Sequence, residues 1–169
     1  MLRTLLFVLC ISVVALSCLK STERSCAYSS TNVSAPQAER DSLRAYLDSN
    51  NLEAEEHSSG FFYEIVNPGT GSDTMRLCSE LLLDYKGQFV NGQVFDQGTN
   101  AYMVLGALIE GWKKGIPLIK KGGEIKLYIP PALGYGYKDL TNQQTGAVII
   151  PAKSMLIFDV KLKDYSAGY

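Results

Sequence analysis

Leu82-Leu83-Asp84-Tyr85-Lys86-Gly87-Gln88-Phe89-Val90-Asn91-Gly92-Gln93-Val94-Phe95-Asp96 is the stretch whose reading decides the fold. Its first half closes a run from Leu77 to Gln88 that is rich in strand-forming residues, and Gln93-Val94-Phe95 starts a return strand. Between them Asn91-Gly92 offers the two residues that a type I′ hairpin needs at its positive-φ positions. Working outward, Phe61–Val66, Glu124–Ile129 and Met155–Tyr165 have the same strand composition, and Gly, Pro and Asn punctuate the gaps. Only residues 110–120 read as helix in this half: Trp112, Leu118 and Ile119 give it an apolar side and Lys113, Lys114 and Lys120 a solvated one. Pro117 should shorten or kink that helix, because it donates no backbone hydrogen bond, and Gly122-Gly123 should end it. The expected class is α+β, a curved and mostly antiparallel sheet with one short helix against its concave face.

Nearer the N-terminus, Ser34 and Pro36 mark a helix start, and Ala38, Leu43, Tyr46 and Leu47 gather on one face of a short amphipathic helix through about Asn50. Before it, residues 21–35 are rich in Ser, Thr and Asn and are expected to form a flexible spacer. The first 17 residues follow a secretory layout, with Arg3 before an apolar run from Leu5 to Leu16 that is too short to span a bilayer. Cys18, after Ala15-Leu16-Ser17, resembles the lipid-attachment cysteine of bacterial lipoproteins, which would place the chain in a bacterial cell envelope, anchored to a membrane and facing the periplasm. The alternative is an ordinary cleavage site beside an unmodified cysteine. Expected divisions are 1–17 as signal peptide, 18–35 as anchor and linker, 36–59 as a helical extension and 60–169 as the main domain. Cys26 and Cys78 could pair in an oxidising compartment or remain as two free thiols; the sequence allows both.

Composition narrows the chemistry. The chain has 169 residues and a net charge of -1, from 16 Lys+Arg against 17 Asp+Glu, so it offers no electrostatic reason to bind nucleic acid. Its one histidine, His57, lies in a polar stretch and reads as an ordinary solvated side chain. No Ser/His/acid set supports a hydrolase and no Gly-rich strand-to-helix loop supports a nucleotide enzyme; neither cofactor nor metal is expected. What remains is a series of aromatic and aliphatic residues suited to an apolar pocket with a few hydrogen bonds.

Leu82 to Gly87 with Asn91 to Asp96, then Leu105-Gly106-Ala107-Leu108-Ile109-Glu110-Gly111-Trp112, then Ile129-Pro130-Pro131-Ala132-Leu133-Gly134-Tyr135-Gly136, then Ile149-Ile150-Pro151 and Leu156 to Leu162, resemble in order the motifs of the FKBP-type peptidyl-prolyl isomerases. The resemblance covers roughly Gly60 to Asp164 and implies an FKBP-like fold and catalysed rotation about Xaa-Pro bonds. It also implies a pocket floored by Trp112 and walled by Tyr85, Phe95, Asp96, Ile109, Tyr135 and Phe158, with Leu108, Leu133 and Ile150 as further substrate contacts. The Ile109 N–H and the Tyr135 hydroxyl are implied donors to carbonyls of proline-containing polypeptides or of macrolides such as rapamycin. Two departures stand out: Ala101 and Met103 where many members carry aromatics, and a longer loop over residues 137–148 that overhangs the pocket in the family. They leave open a non-catalytic binding module, or a scaffold that docks through the N-terminal helix.

Overall fold

The computed structural model describes residues 26–168, so the signal segment and Cys18 lie outside the described residues. Six strands form one antiparallel sheet: β1 (Glu55–Glu56), β2 (Phe62–Asn67), β3 (Glu80–Phe89), β4 (Val94–Val104), β5 (Glu124–Ile129) and β8 (Leu156–Tyr165), in spatial order β1-β2-β5-β8-β3-β4. Two short strands, β6 (Leu140–Thr141) and β7 (Val148–Ile150), pair separately. Alternation along the strands turns Leu81 and Leu83 of β3, Leu127 and Ile129 of β5, and Phe158, Val160 and Leu162 of β8 into one core. The helix α2 (Glu110–Gly115) packs on this face, contributing Trp112. Its glycines allow the approach: a Cβ on Gly111 would sit 2.7–2.9 Å from three side-chain carbons of Ile129. Gly111→Ala should therefore cost about 1–3 kcal/mol by overpacking, read as a lower urea midpoint at unchanged slope.

Several local outcomes differ from the sequence reading. The 89–93 turn is not type I′, because Gly92 has φ 84 whereas Asn91 is absent from the positive-φ residues. Gly92 N–H donates to Phe89 O at 2.9 Å and Phe89 N–H to Gln93 O at 2.9 Å, the pattern of a type I turn closed by a left-handed glycine. The Asn91 side chain accepts from Gln93 N–H, which favours this longer loop over the two-residue one. Strand β3 starts at Glu80 rather than Leu77, since residues 76–79 turn back through Ser79 N–H to Arg76 O. Strand β4 runs eleven residues, well past Phe95. It lies at the sheet edge and carries polar residues, and a bulge at Thr99-Asn100, with Asn100 at φ 52, breaks its alternation. Finally α2 stops at Gly115, and Ile116–Leu118 tighten into a single 3-10 turn around Pro117.

The helix α1 (Gln37–Ser49) lies on the opposite face of the sheet. Leu43 and Leu47 are buried against Phe62, Tyr128 and Ile157, which stand in register across β2, β5 and β8. Two buried leucines contribute roughly 1.5–3 kcal/mol each, more than the pairing of Arg40 and Arg44 with the half-buried Glu56 at the domain surface, at about 0–1 kcal/mol per pair. The apolar seam thus holds the helix. Ala38, expected on that seam, is exposed.

Residues 26–35 have no regular secondary structure, yet they are tied to the domain along their length, contrary to the spacer expected from their composition. Cys26 and Cys78 form a disulfide. The Tyr28 ring covers Gly106, Thr31 Oγ1 donates to Glu110 at 2.6 Å, Lys114 donates to the Val33 carbonyl, and Ala35 N–H donates to Ser59 O at 2.8 Å. This strap crosses the segment that carries α2. Nor is His57 a solvated loop residue. Its ring stacks on Phe61 with centroids 4.4 Å apart, Nδ1 lies 2.9 Å from Ser59 Oγ, and burial, followed by the Lys114 charge, lowers its pKa.

Candidate active site

Strand β3 points Tyr85 and then Gly87 to the concave side, and β8 brings Phe158 opposite Gly87. Gly87 leaves the room that aromatic rings fill, since a Cβ there would come within 2.7 Å of both Phe158 and Phe95. Gly98 does the same for Tyr85, whose ring a Cβ would meet at 2.5 Å. Trp112 on α2 rises between these walls. Phe158 meets it edge-on at 5.0 Å and 85°, and Tyr85 at 5.5 Å and 81°. The result is a cleft of about 170 Å³ lined by Tyr85, Asp96, Met103, Ala107, Leu108, Ile109, Trp112, Tyr135 and Phe158.

Its polar groups are few and specifically placed. The Tyr85 hydroxyl donates to Asp96 Oδ2 at 2.8 Å; burial, then this bond, pushes the Tyr85 phenol up to about 12. Burial and the Asp96 carboxylate also raise the pKa of Tyr135. Both phenols therefore stay protonated throughout the neutral range. The Tyr135 hydroxyl makes no hydrogen bond to another described residue, so its proton is free for a ligand. Ile109 precedes α2 in an extended conformation and accepts from Trp112 N–H at 3.0 Å. Its own N–H has no acceptor among the described residues. Ile109 and Tyr135, two residues lining one cleft, thus each keep a donor without an acceptor among the described residues, as does the buried Trp112 Nε1. Among the described residues no group of three His, Cys, Asp or Glu side chains is placed to hold a metal ion.

Of the residues expected at the site, the structure brings together Tyr85, Asp96, Leu108, Ile109, Trp112, Tyr135 and Phe158. Phe95 does not line the cleft. It packs edge-on behind Phe158 at 5.6 Å, at a second break in the β3–β4 register, where Gly87 pairs with Asp96 and Gln88 with Val94 so that Phe95 is left unpaired. Leu133 and Ile150 do not line it either; both are core residues, at 0% and 2% exposure. Met103, marked in the sequence only as a departure from the family's aromatics, lines the cleft, and so does Ala107, which the sequence reading did not count. The bulge at 99–100 turns Met103 inward, and the continuity of Ala107 with Leu108-Ile109 was the signal available for it. Residues 137–150 contribute nothing to the lining and instead form the β6–β7 hairpin. A wider concavity of about 730 Å³ on the opposite face is a shallow charged surface whose groups neutralise one another, as in Lys161 with Glu124 at 2.6 Å and Lys86 with Asp159 at 3.3 Å.

Residues 72–163 match the family model described as FKBP-type peptidyl-prolyl cis-trans isomerase. The chain belongs to that family. It is similar to the FKBP-type peptidyl-prolyl cis-trans isomerase FkpA of Buchnera aphidicola subsp. Schizaphis graminum, 41% identical over 111 residues that cover 63% of this chain and 41% of that protein. To FkpA of Escherichia coli strain K12 it is 38% identical over 111 residues, 63% of this chain and 38% of that one. To the peptidyl-prolyl cis-trans isomerase Mip of Coxiella burnetii it is 31% identical, covering 62% and 44%. The crystal structure of Escherichia coli FkpA superposes with a TM-score of 0.63 at 32% identity, over 76% of this chain and 60% of that chain. This FKBP chain thus spans about two fifths of the curated relatives it matches.

Proposed function

We propose that this FKBP chain is a peptidyl-prolyl cis-trans isomerase acting on proline-containing polypeptides outside the cytoplasm. One observation carries the reading: a cleft lined by Trp112, Tyr85 and Phe158, without Ser, Cys, His or Lys, includes two residues, Ile109 and Tyr135, whose N–H and O–H have no acceptor among the described residues. The amide before proline resists rotation by about 18–20 kcal/mol because of conjugation. At the twisted transition state conjugation is lost and the carbonyl is less polar, so an apolar cleft favours that state over the planar one. Trp112 receives the proline ring, and the donors at Ile109 and Tyr135 fix the flanking carbonyls.

Export is supported by the charged-then-apolar segment before residue 18 and by the Cys26–Cys78 disulfide, a bond suited to oxidising compartments. Cys18 is the attachment point we assign for a lipid anchor holding the domain at a bacterial envelope membrane. Rapamycin-type macrolides are the inhibitors the cleft should accept.

The test is isomerisation of a short Xaa-Pro peptide by the purified chain, with and without rapamycin. Acceleration blocked by the macrolide is expected; a folded protein that binds the peptide without acceleration would reduce the reading to a binding module. The pH profile gives a second check. Both cleft phenols titrate above their ordinary value near 10, so kcat/KM should be flat from about pH 7 to 9 and fall only on the alkaline side. A bell centred near neutrality would contradict catalysis without general acid–base chemistry.

A further inference from the structure

The cleft is completed by a residue that lies far from it in sequence. Tyr135 stands between Gly134 and Gly136, the second at φ 80, and so occupies the least constrained backbone of the site. On one side of it is Ala132 in the single turn Pro131–Leu133, and on the other is Tyr137. Glu39, in the first turn of α1, reaches both: Oε2 accepts Ala132 N–H at 2.9 Å and Oε1 accepts the Tyr137 hydroxyl at 2.7 Å. One carboxylate therefore clasps the loop on either side of Tyr135, through charge-assisted bonds that are stronger than neutral ones. The other backbone bonds of residues 131–136 are within the loop itself, Leu133 N–H to Pro130 O and Gly134 N–H to Pro131 O at 3.0 Å and Gly136 N–H to Pro131 O at 2.9 Å, apart from Lys153 N–H to Gly136 O at 2.9 Å, which joins it to the 151–154 turn. Glu39 is the contact that ties this loop to α1.

We propose that Glu39 is a positioning residue for the isomerase site, holding the Tyr135 hydroxyl at the mouth of the cleft. The proposal rests on the isomerase reading above. It makes the N-terminal extension part of the catalytic apparatus rather than an appended tether. The helix that presents Glu39 does not depend on it, because Leu43 and Leu47 supply the seam with the sheet. Removing the carboxylate should leave α1 docked and loosen the loop alone.

The experiment compares Glu39→Ala, Glu39→Gln and Tyr137→Phe in the full chain, alone and combined with Tyr135→Phe. It follows peptide isomerisation, thermal midpoint and the ring NMR signals of Tyr135. Glu39→Ala should lower kcat/KM about tenfold, the scale on which misplacing a binding group acts, and move the Tyr135 ring signals, with the thermal midpoint shifted by only a few degrees. Glu39→Gln should restore most of the rate, because its carbonyl oxygen still accepts Ala132 N–H, and Tyr137→Phe should fall between the two. In the Tyr135→Phe background the Glu39→Ala loss should vanish, since two changes acting through one group are not additive. An unchanged kcat/KM in Glu39→Ala, or an equal loss without the Tyr135 hydroxyl, overturns the proposal. If the unmutated chain does not accelerate isomerisation, the isomerase reading fails first. The ring spectrum then decides Glu39 by itself, and an unmoved Tyr135 signal in Glu39→Ala overturns its positioning role.

Discussion

Trp112→Ala is expected to remove isomerase activity and to cost roughly 3–5 kcal/mol of stability. The indole is 4% exposed and touches the edges of two walls, Tyr85 and Phe158, so its loss opens a void that rigid neighbours on β3 and β8 cannot close. A domain of this size is stable by about 5–15 kcal/mol in total, and the variant should remain folded at low temperature with a much lower urea midpoint. Trp112→Leu separates the two roles. Leucine refills part of the volume and should recover stability, but it offers no flat surface to a proline ring, so kcat/KM should remain down on the order of 100-fold. Full activity in Trp112→Leu would remove the floor from its assigned place.

The second large effect is on stability. Cys26 and Cys78 are 52 residues apart, and closing a loop of that length is worth about 4 kcal/mol on the chain-entropy account. Cys26→Ser with Cys78→Ser should lower the urea midpoint accordingly. A reductant should do the same to the unmutated chain and nothing further to the double variant. The loss should reach the cleft as well, because the strap that the disulfide pins covers Gly106 with Tyr28 and holds Glu110 through Thr31, on either side of Ala107, Leu108 and Ile109. Coincident midpoints with and without reductant would show that the disulfide contributes nothing to stability.

The strands and the floor of the cleft were legible in the sequence because they depend on local signals. β5 spans the residues expected from composition, and Trp112 lies on the short helix that Pro117 was expected to limit. What sequence did not show depends on contacts between distant residues or on broken periodicity. Phe95 is assigned to a wall by motif, but a break in the β3–β4 register at Phe95 itself places it behind Phe158. A separate bulge, at Thr99-Asn100, turns Met103 inward. The polar stretch before Ala35 lacks hydrophobic periodicity and so reads as spacer; its order comes from a disulfide and single contacts to Gly106, Glu110 and Lys114. Glu39 carries no sequence signal of its own, and only the fold shows the loop that it clasps.

The central claim, catalysis of Xaa-Pro rotation in the cleft above Trp112, is tested most directly by NMR on one sample. Trp112 is the sole tryptophan, so its indole N–H gives a single reporter signal. A Xaa-Pro peptide is titrated into the labelled chain while its cis–trans exchange is recorded. The account predicts that the Trp112 signal shifts saturably and that cis–trans exchange cross-peaks appear at substoichiometric protein, both suppressed by rapamycin. Exchange without any shift of Trp112, or a saturable shift without exchange, would contradict it.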